Sequence, residues 1–195
     1  MAFLMRWKNL VRFINNEYNM AKLKPAVNDS DQQTGNKAAN VTLVEFGDYQ
    51  CTHCGHAHPL LKRLLSEMNN ELHFVFRNFP LNEIHPAAMM AALAAEAAGK
   101  QGMFWEMHDL IFENQADLHG NKFVDFAVAL GLDTKEFAAD WKSESVMAKV
   151  ENDFESGVRS GVNGTPYFFL NGSLLHTFDG SYESLKQAVQ QAMPA

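Results

Sequence analysis

The chain has two cysteines, Cys51 and Cys54, and both stand in the run Cys51-Thr52-His53-Cys54. A disulfide between them closes too short a loop to constrain the unfolded chain much. A small secreted scaffold held together by disulfides would need more cysteines, spread more widely. The spacing points instead to reversible redox chemistry, in which one thiolate attacks a disulfide and the other thiol resolves the mixed disulfide. His53 lies between the two sulfurs. An imidazole there can stabilise the Cys51 thiolate and make the disulfide more oxidising; the plainer reading is an exposed residue at a helix start.

Glu45 is the one carboxylate in the β-branched and aromatic run 41–46. Burying a charge unpaired is costly, so such a group carries a raised pKa, a partner or a function. Here the function would be to pass a proton to or from Cys54, and the alternative is a side chain pointed at solvent by strand alternation. Thr165-Pro166 opens a late apolar run. Either the proline marks a sheet edge, or its peptide bond is cis and exposes the preceding backbone to a substrate strand.

Cys51, Cys54, His56 and His58 also offer sulfur and imidazole to a metal within a short span. Structural zinc sites draw on a second ligand cluster far along the chain. None is visible, because His85, His108, His119 and His176 stand alone, and no metal or other cofactor is called for. Net charge is −7, and the 16 Lys and Arg residues are dispersed, which excludes a general nucleic-acid role. No run of about eighteen apolar residues exists to span a membrane.

These residues need elements to hold them. Residues 41–46 read as a buried strand, Gly47 and Asp48 break it, and the cysteines then fall at the start of a helix, where free N–H groups and the macrodipole favour a thiolate. Pro59 falls within the first turn or so after Cys54, and the helical spacing continues until Asn69-Asn70 stops it. Residues 72–76 form a second strand, and the strand–helix–strand order implies a parallel pair. Helices follow from Pro86 through the Ala-rich tract, over 104–115, over 123–130 and from Thr134 to about Val158. Asn171-Gly172 between two apolar runs, 166–170 and 173–178, signals a hairpin, and Ser181 caps a closing helix. Residues 28–40 read as a polar lead-in loop.

The stretches VTLVEFGDYQCTHC, FRNFPL, HPAAMMAALAAEAAGKQGMFWEMHDLIF and GVNGTPYFFLNG together resemble the DsbA-like members of the thioredoxin superfamily. The resemblance implies an α/β thioredoxin fold with a mixed sheet, formed by 40–84 and 160–195, a helical subdomain inserted over 85–159, and an extension over 1–39. It implies Cys51 as nucleophile, Cys54 as resolving thiol, Glu45 as the buried acid, Pro166 as a cis-proline facing the pair, and Thr165 as backbone partner of bound substrate. It also implies cysteine-containing protein substrates and a redox partner that recycles the pair. Phe79, Met103 and Phe104 are offered as substrate surface.

A glutathione-linked transferase or isomerase, and a metal-binding or redox-responsive binding module, are the competing functions. The N-terminal residues Phe3, Leu4, Trp7, Leu10, Val11 and Ile14 share one helical face, with Arg6, Lys8 and Arg12 off it. They show no signal-peptide pattern, which predicts a cytoplasmic protein, or a periplasmic one if the N-terminus is mis-assigned.

Overall fold

The computed structural model describes residues 21–68 and 70–194. The amphipathic pattern over residues 3–14 lies outside them. Within the described residues, β1 (Gln32–Gly35), β2 (Val41–Gly47), β3 (Leu72–Asn78), β4 (Tyr167–Leu170) and β5 (Ser173–Leu174) form one mixed sheet in the order β1-β3-β2-β4-β5. β2 and β3 run parallel, from Val41 opposite Leu72 to Gly47 opposite Asn78, and the other neighbours are antiparallel. The parallel pair requires a crossover, which α1 (Thr52–Glu67) supplies.

Five helices separate β3 from β4: α2 (Ala88–Lys100), α3 (Phe104–Glu113), α4 (Gly120–Ala129), α5 (Thr134–Asp140) and α6 (Glu144–Ser160). α7 (Tyr182–Gln191) closes the chain, with the Ser181 hydroxyl accepting from the Ser184 N–H at 3.1 Å. The sheet has apolar cores on both faces. Leu43, Phe74, Phe76 and Phe168 join the larger one with residues of α1, α2, α3 and α7. Val44, Phe46, Val75 and Phe169 join the smaller one with Phe79 and Val162. α6 lies close over that second face because Gly157 has no side chain there: an added Cβ would stand 2.6 Å from the Phe79 ring.

Three expectations change. The polar segment 28–40 contains the edge strand β1, which its Gln-Gln-Thr-Gly sequence disguised; its glutamines bond sideways to Glu96 and His73. The single helix expected from Thr134 to Val158 is two, because the Ser143 hydroxyl caps a new start at Val146 N–H (3.2 Å). The strand expected over 173–178 stops at Leu174, and Phe178 instead turns to pack edge-on against Phe168, with ring centres 5.0 Å apart. The hairpin turn itself is as expected, with positive φ at both Asn171 and Gly172.

Candidate active site

β2 delivers Gly47 beside the Phe76 ring, which leaves no room there for a side chain. The chain then turns through Asp48-Tyr49-Gln50 to Cys51, the N-cap residue of α1. This turn is pinned on several sides. The Asp48 carboxylate accepts from the N–H groups of Gln50 (2.7 Å) and Leu81 (2.8 Å) and from His85 Nδ1 (2.8 Å). The Gln50 side-chain oxygen accepts from the Ala87 N–H (2.7 Å). Tyr49 Oη lies 2.9 Å from His108 Nδ1.

Cys51 is 7% exposed and Cys54 fully buried, and both are free thiols. Their acidities diverge. Hydrogen bonding from the Cys54 thiol lowers the Cys51 pKa to about 5; the Thr165 side chain and the N–H groups of Cys54 and His53 act in the same direction, against the cost of burial. Burial pushes Cys54 well above the ordinary thiol range, and its bond to Cys51 and the nearby charge of Glu45 push it further. The Asp48 N–H, 3.5 Å from Cys54 Sγ, opposes that rise.

Glu45 points into the larger core, opposite Phe168 and Phe76, and is 2% exposed. The solvent-facing alternative is therefore excluded. Burial raises its pKa to about 8, and the charge of Cys51 adds to the rise. The carboxyl is protonated at neutral pH and sits within electrostatic reach of both sulfurs. Across from them, the Thr165 carbonyl accepts from Cys51 Sγ at 3.3 Å, the Thr165–Pro166 bond is cis, and the Thr165 hydroxyl is buried with no other partner among the described residues. A hydroxyl so placed can donate to the sulfur once Cys51 ionises.

His53 reaches Cys51 through its backbone N–H, while its side chain is exposed. The four candidate metal ligands do not converge. His56 is exposed, 3.2 Å from the Gly180 carbonyl, and His58 is buried, 2.8 Å from Asp109 Oδ1. Among the described residues, the one group with ligand atoms close enough for an ion is His58, His108 and Asp109, without either sulfur. Lys62 already neutralises Asp109 there at 2.7 Å.

The proposed substrate surface also changes. Phe79 packs between Phe46 and Phe154, and Phe104 packs with Phe76 and Trp105, so each is only 3% exposed. Met103 alone of the three is partly open.

Sequence reasoning missed one residue of the site. Gln115, in a single 3-10 turn after α3, donates from Nε2 to the carbonyls of Cys51 (2.7 Å) and Tyr49 (2.9 Å). Its side chain lies where a side chain at Gly55 would have to go. No local signal marks it.

The thioredoxin family model matches residues 27–191. Among solved structures, the chain resembles oxidised BdbD from Bacillus subtilis, with a TM-score of 0.77 and 22% identity, over 89% of this chain and 98% of that one. It is similar to a thioredoxin-like oxidoreductase from Silicibacter pomeroyi at TM-score 0.72 and 27% identity, over 85% and 93% of the two chains. A periplasmic thioredoxin-like protein from Salmonella enterica matches at TM-score 0.69 and 18% identity, over 87% and 92%. In sequence, the chain is 41% identical over 170 residues to the Na(+)/H(+) antiporter NhaA 1 of Salinispora arenicola, covering 86% of this chain but 26% of that protein. The chain therefore spans about a quarter of the length of the curated relatives it matches. The cytoplasmic expectation is overturned: proteins of this shape include one named as periplasmic, and residues 1–19, which suggested the cytoplasm, lie outside the described residues.

Proposed function

The chain belongs to the thioredoxin family, and from that premise we propose that it is a DsbA-like thiol–disulfide oxidoreductase acting on cysteine-containing proteins through Cys51. The observation that carries this reading is the opposed acidity of the pair: Cys51 at about 5, Cys54 above the ordinary thiol range. At neutral pH one sulfur is a thiolate and the other holds its proton, the division of labour that exchange needs.

In the oxidising direction, a substrate thiolate attacks Cys51 of the disulfide, the S–S bond breaks, and Cys54 leaves with the electron pair. Cys54 then takes a proton, and Glu45, protonated below about pH 8, is the buried acid beside it. A second substrate thiolate attacks the substrate sulfur of the mixed disulfide. Cys51 leaves as a thiolate, the substrate is oxidised by two electrons, and the pair is reduced. A thiolate stabilised at Cys51 leaves readily and favours the reduced pair, so the geometry favours disulfide donation over reduction. The Thr165 carbonyl already faces Cys51 Sγ, which supports a role for the Thr165–Pro166 segment in holding the substrate strand. A separate redox partner returns the pair to the disulfide.

The test is substitution of each sulfur. Cys51→Ser abolishes oxidation of a reduced model protein, and Cys54→Ser accumulates mixed disulfides linked through Cys51. Full activity in Cys51→Ser would sink the proposal. Turnover that required glutathione as co-substrate would favour the transferase reading instead.

A further inference from the structure

His85 stands alone in the sequence, but the fold gives it a partner at the redox turn. Its Nδ1 donates to Asp48 Oδ2 at 2.8 Å. The Asp48 side chain is fully buried, and that of His85 is 21% exposed. A buried carboxylate must find donors for its oxygens. Among the described residues Asp48 finds three: the N–H groups of Gln50 and Leu81, and the His85 ring. His85 is the one side chain among them.

The loop that carries His85 is shaped to grip this turn. The Leu81 carbonyl accepts from the N–H groups of Ile84 (3.0 Å) and His85 (2.9 Å). That folds the loop so that the Leu81 N–H and the His85 ring meet at the same Asp48 oxygen. On either side, the Phe79 N–H donates to the Gly47 carbonyl (2.8 Å), and the Ala87 N–H donates to Gln50 Oε1 (2.7 Å). Residues 79–87 thus hold residues 47–50 through four hydrogen bonds.

Asp48 passes this grip on to both cysteines. Its carbonyl accepts from the Cys51 N–H (3.1 Å), and its own N–H lies 3.5 Å from Cys54 Sγ. A hydrogen bond to a sulfur favours the thiolate over the thiol, so the Asp48 N–H stabilises Cys54 as it leaves the disulfide. The contact is stronger to a thiolate than to a disulfide sulfur, so it lowers the barrier of that step rather than stabilising the oxidised protein. At 3.5 Å the bond is long, and a small rotation of the Asp48 peptide weakens it.

We propose that His85 is a positioning residue for disulfide exchange: by fixing the Asp48 carboxylate, it aims the Asp48 N–H at Cys54 Sγ and eases the departure of that sulfur. In the step concerned, a thiolate attacks Cys51 Sγ, the Cys51–Cys54 bond breaks, and the electron pair goes to Cys54. The protein disulfide is reduced, and the attacking thiol is left joined to Cys51. The later step, in which Cys51 leaves, gains nothing from the Asp48 N–H. The inference rests on exchange through Cys51 and deepens it by naming what acts on the second sulfur.

Two rate constants, measured on the full chain, separate these steps. The first is reduction of the oxidised protein by dithiothreitol, in which Cys54 leaves. The second is release of Cys51 by dithiothreitol from its mixed disulfide with glutathione, in a Cys54→Ala background. His85→Ala should slow the first about three- to tenfold and leave the second within about twofold of the parent. His85→Asn, whose Nδ2 stands where the imidazole Nδ1 does, should restore the first. His85→Gln, whose amide lies one bond further out, should not, and it keeps the comparison decisive if His85→Ala does not fold. The proposal is overturned if His85→Gln is reduced as fast as the parent, if both steps slow together, or if His85→Asn is no faster than His85→Gln. Failure of the exchange reading itself would show differently, as substrate oxidation that survives in Cys51→Ser.

Discussion

Gln115 Nε2 donates a 2.7 Å hydrogen bond to the carbonyl of Cys51, a residue 64 positions earlier in the chain. The bond ties the N-cap of α1 to the inserted helices, and with it the aim of the His53 and Cys54 N–H groups at the Cys51 sulfur. Gln115→Ala removes both of its hydrogen bonds, to the carbonyls of Cys51 and Tyr49, each worth about 1 kcal/mol. Cys51 acidity should weaken toward the ordinary thiol value, and alkylation of Cys51 at mildly acidic pH should slow by about two- to tenfold. Gln115→Glu should be worse, since a carboxylate cannot donate and adds negative charge. A pH–alkylation profile that neither variant moves would show Gln115 to be inert.

Glu45 should leave a pH signature in stability. Its folded pKa of about 8 lies above the ordinary 4.5, so between those values the folded state holds a proton that the unfolded state has released. Stability of the reduced protein therefore falls as pH rises from about 4.5 to 8, by about 1.4 kcal/mol for each pH step of one across that window. Glu45→Gln should flatten that decline, so the variant gains on the parent most near pH 8 in urea melts. The same change should slow protonation of Cys54 and with it the release of oxidised substrate.

The second face of the sheet sets stability by a different route. Arg77, 1% exposed, donates to both oxygens of Asp31 (2.8 and 2.9 Å) and to the carbonyls of Pro25 and Ala26. Asp31→Ala leaves a buried guanidinium uncompensated and should cost about 3–5 kcal/mol in denaturant unfolding. The Cys51 alkylation profile should stay as in the parent, because Arg77 and Glu45 lie on opposite faces of the sheet. A loss below 1 kcal/mol would mean that the strap over 25–31 is held by other contacts.

The sequence displayed the site in parts. Cys51, Cys54, Glu45 and Thr165-Pro166 were legible because each breaks a local rule: a close pair of thiols, a carboxylate in a buried strand, a proline opening a strand. The order of elements was legible because β2, β3 and the Ala-rich α2 follow strong patterns. Gln115 was not, since its role comes from the inserted helices folding back over α1. β1 was not, because an edge strand with polar side chains lacks the apolar alternation that marks a strand. Phe79 and Phe104 were misplaced for the converse reason: an aromatic residue looks the same whether it lines a surface or fills a core.

The equilibrium direction follows from Cys51. A thiolate stabilised in the folded protein stabilises the reduced pair, so the Cys51–Cys54 potential should lie nearer about −120 mV than about −270 mV. Equilibration with glutathione buffers, read by gel shift after alkylation, measures it. A value at or below the lower figure would make the protein a reductase.

The most direct measurement is the ionisation of Cys51 itself, followed by thiolate absorbance of the reduced protein against pH, with Cys51→Ser as the blank. One group titrating near pH 5 and absent from the blank is expected, with Cys54 still protonated at pH 9. A Cys51 transition at the ordinary thiol value of about 9 would contradict its assignment as the activated nucleophile.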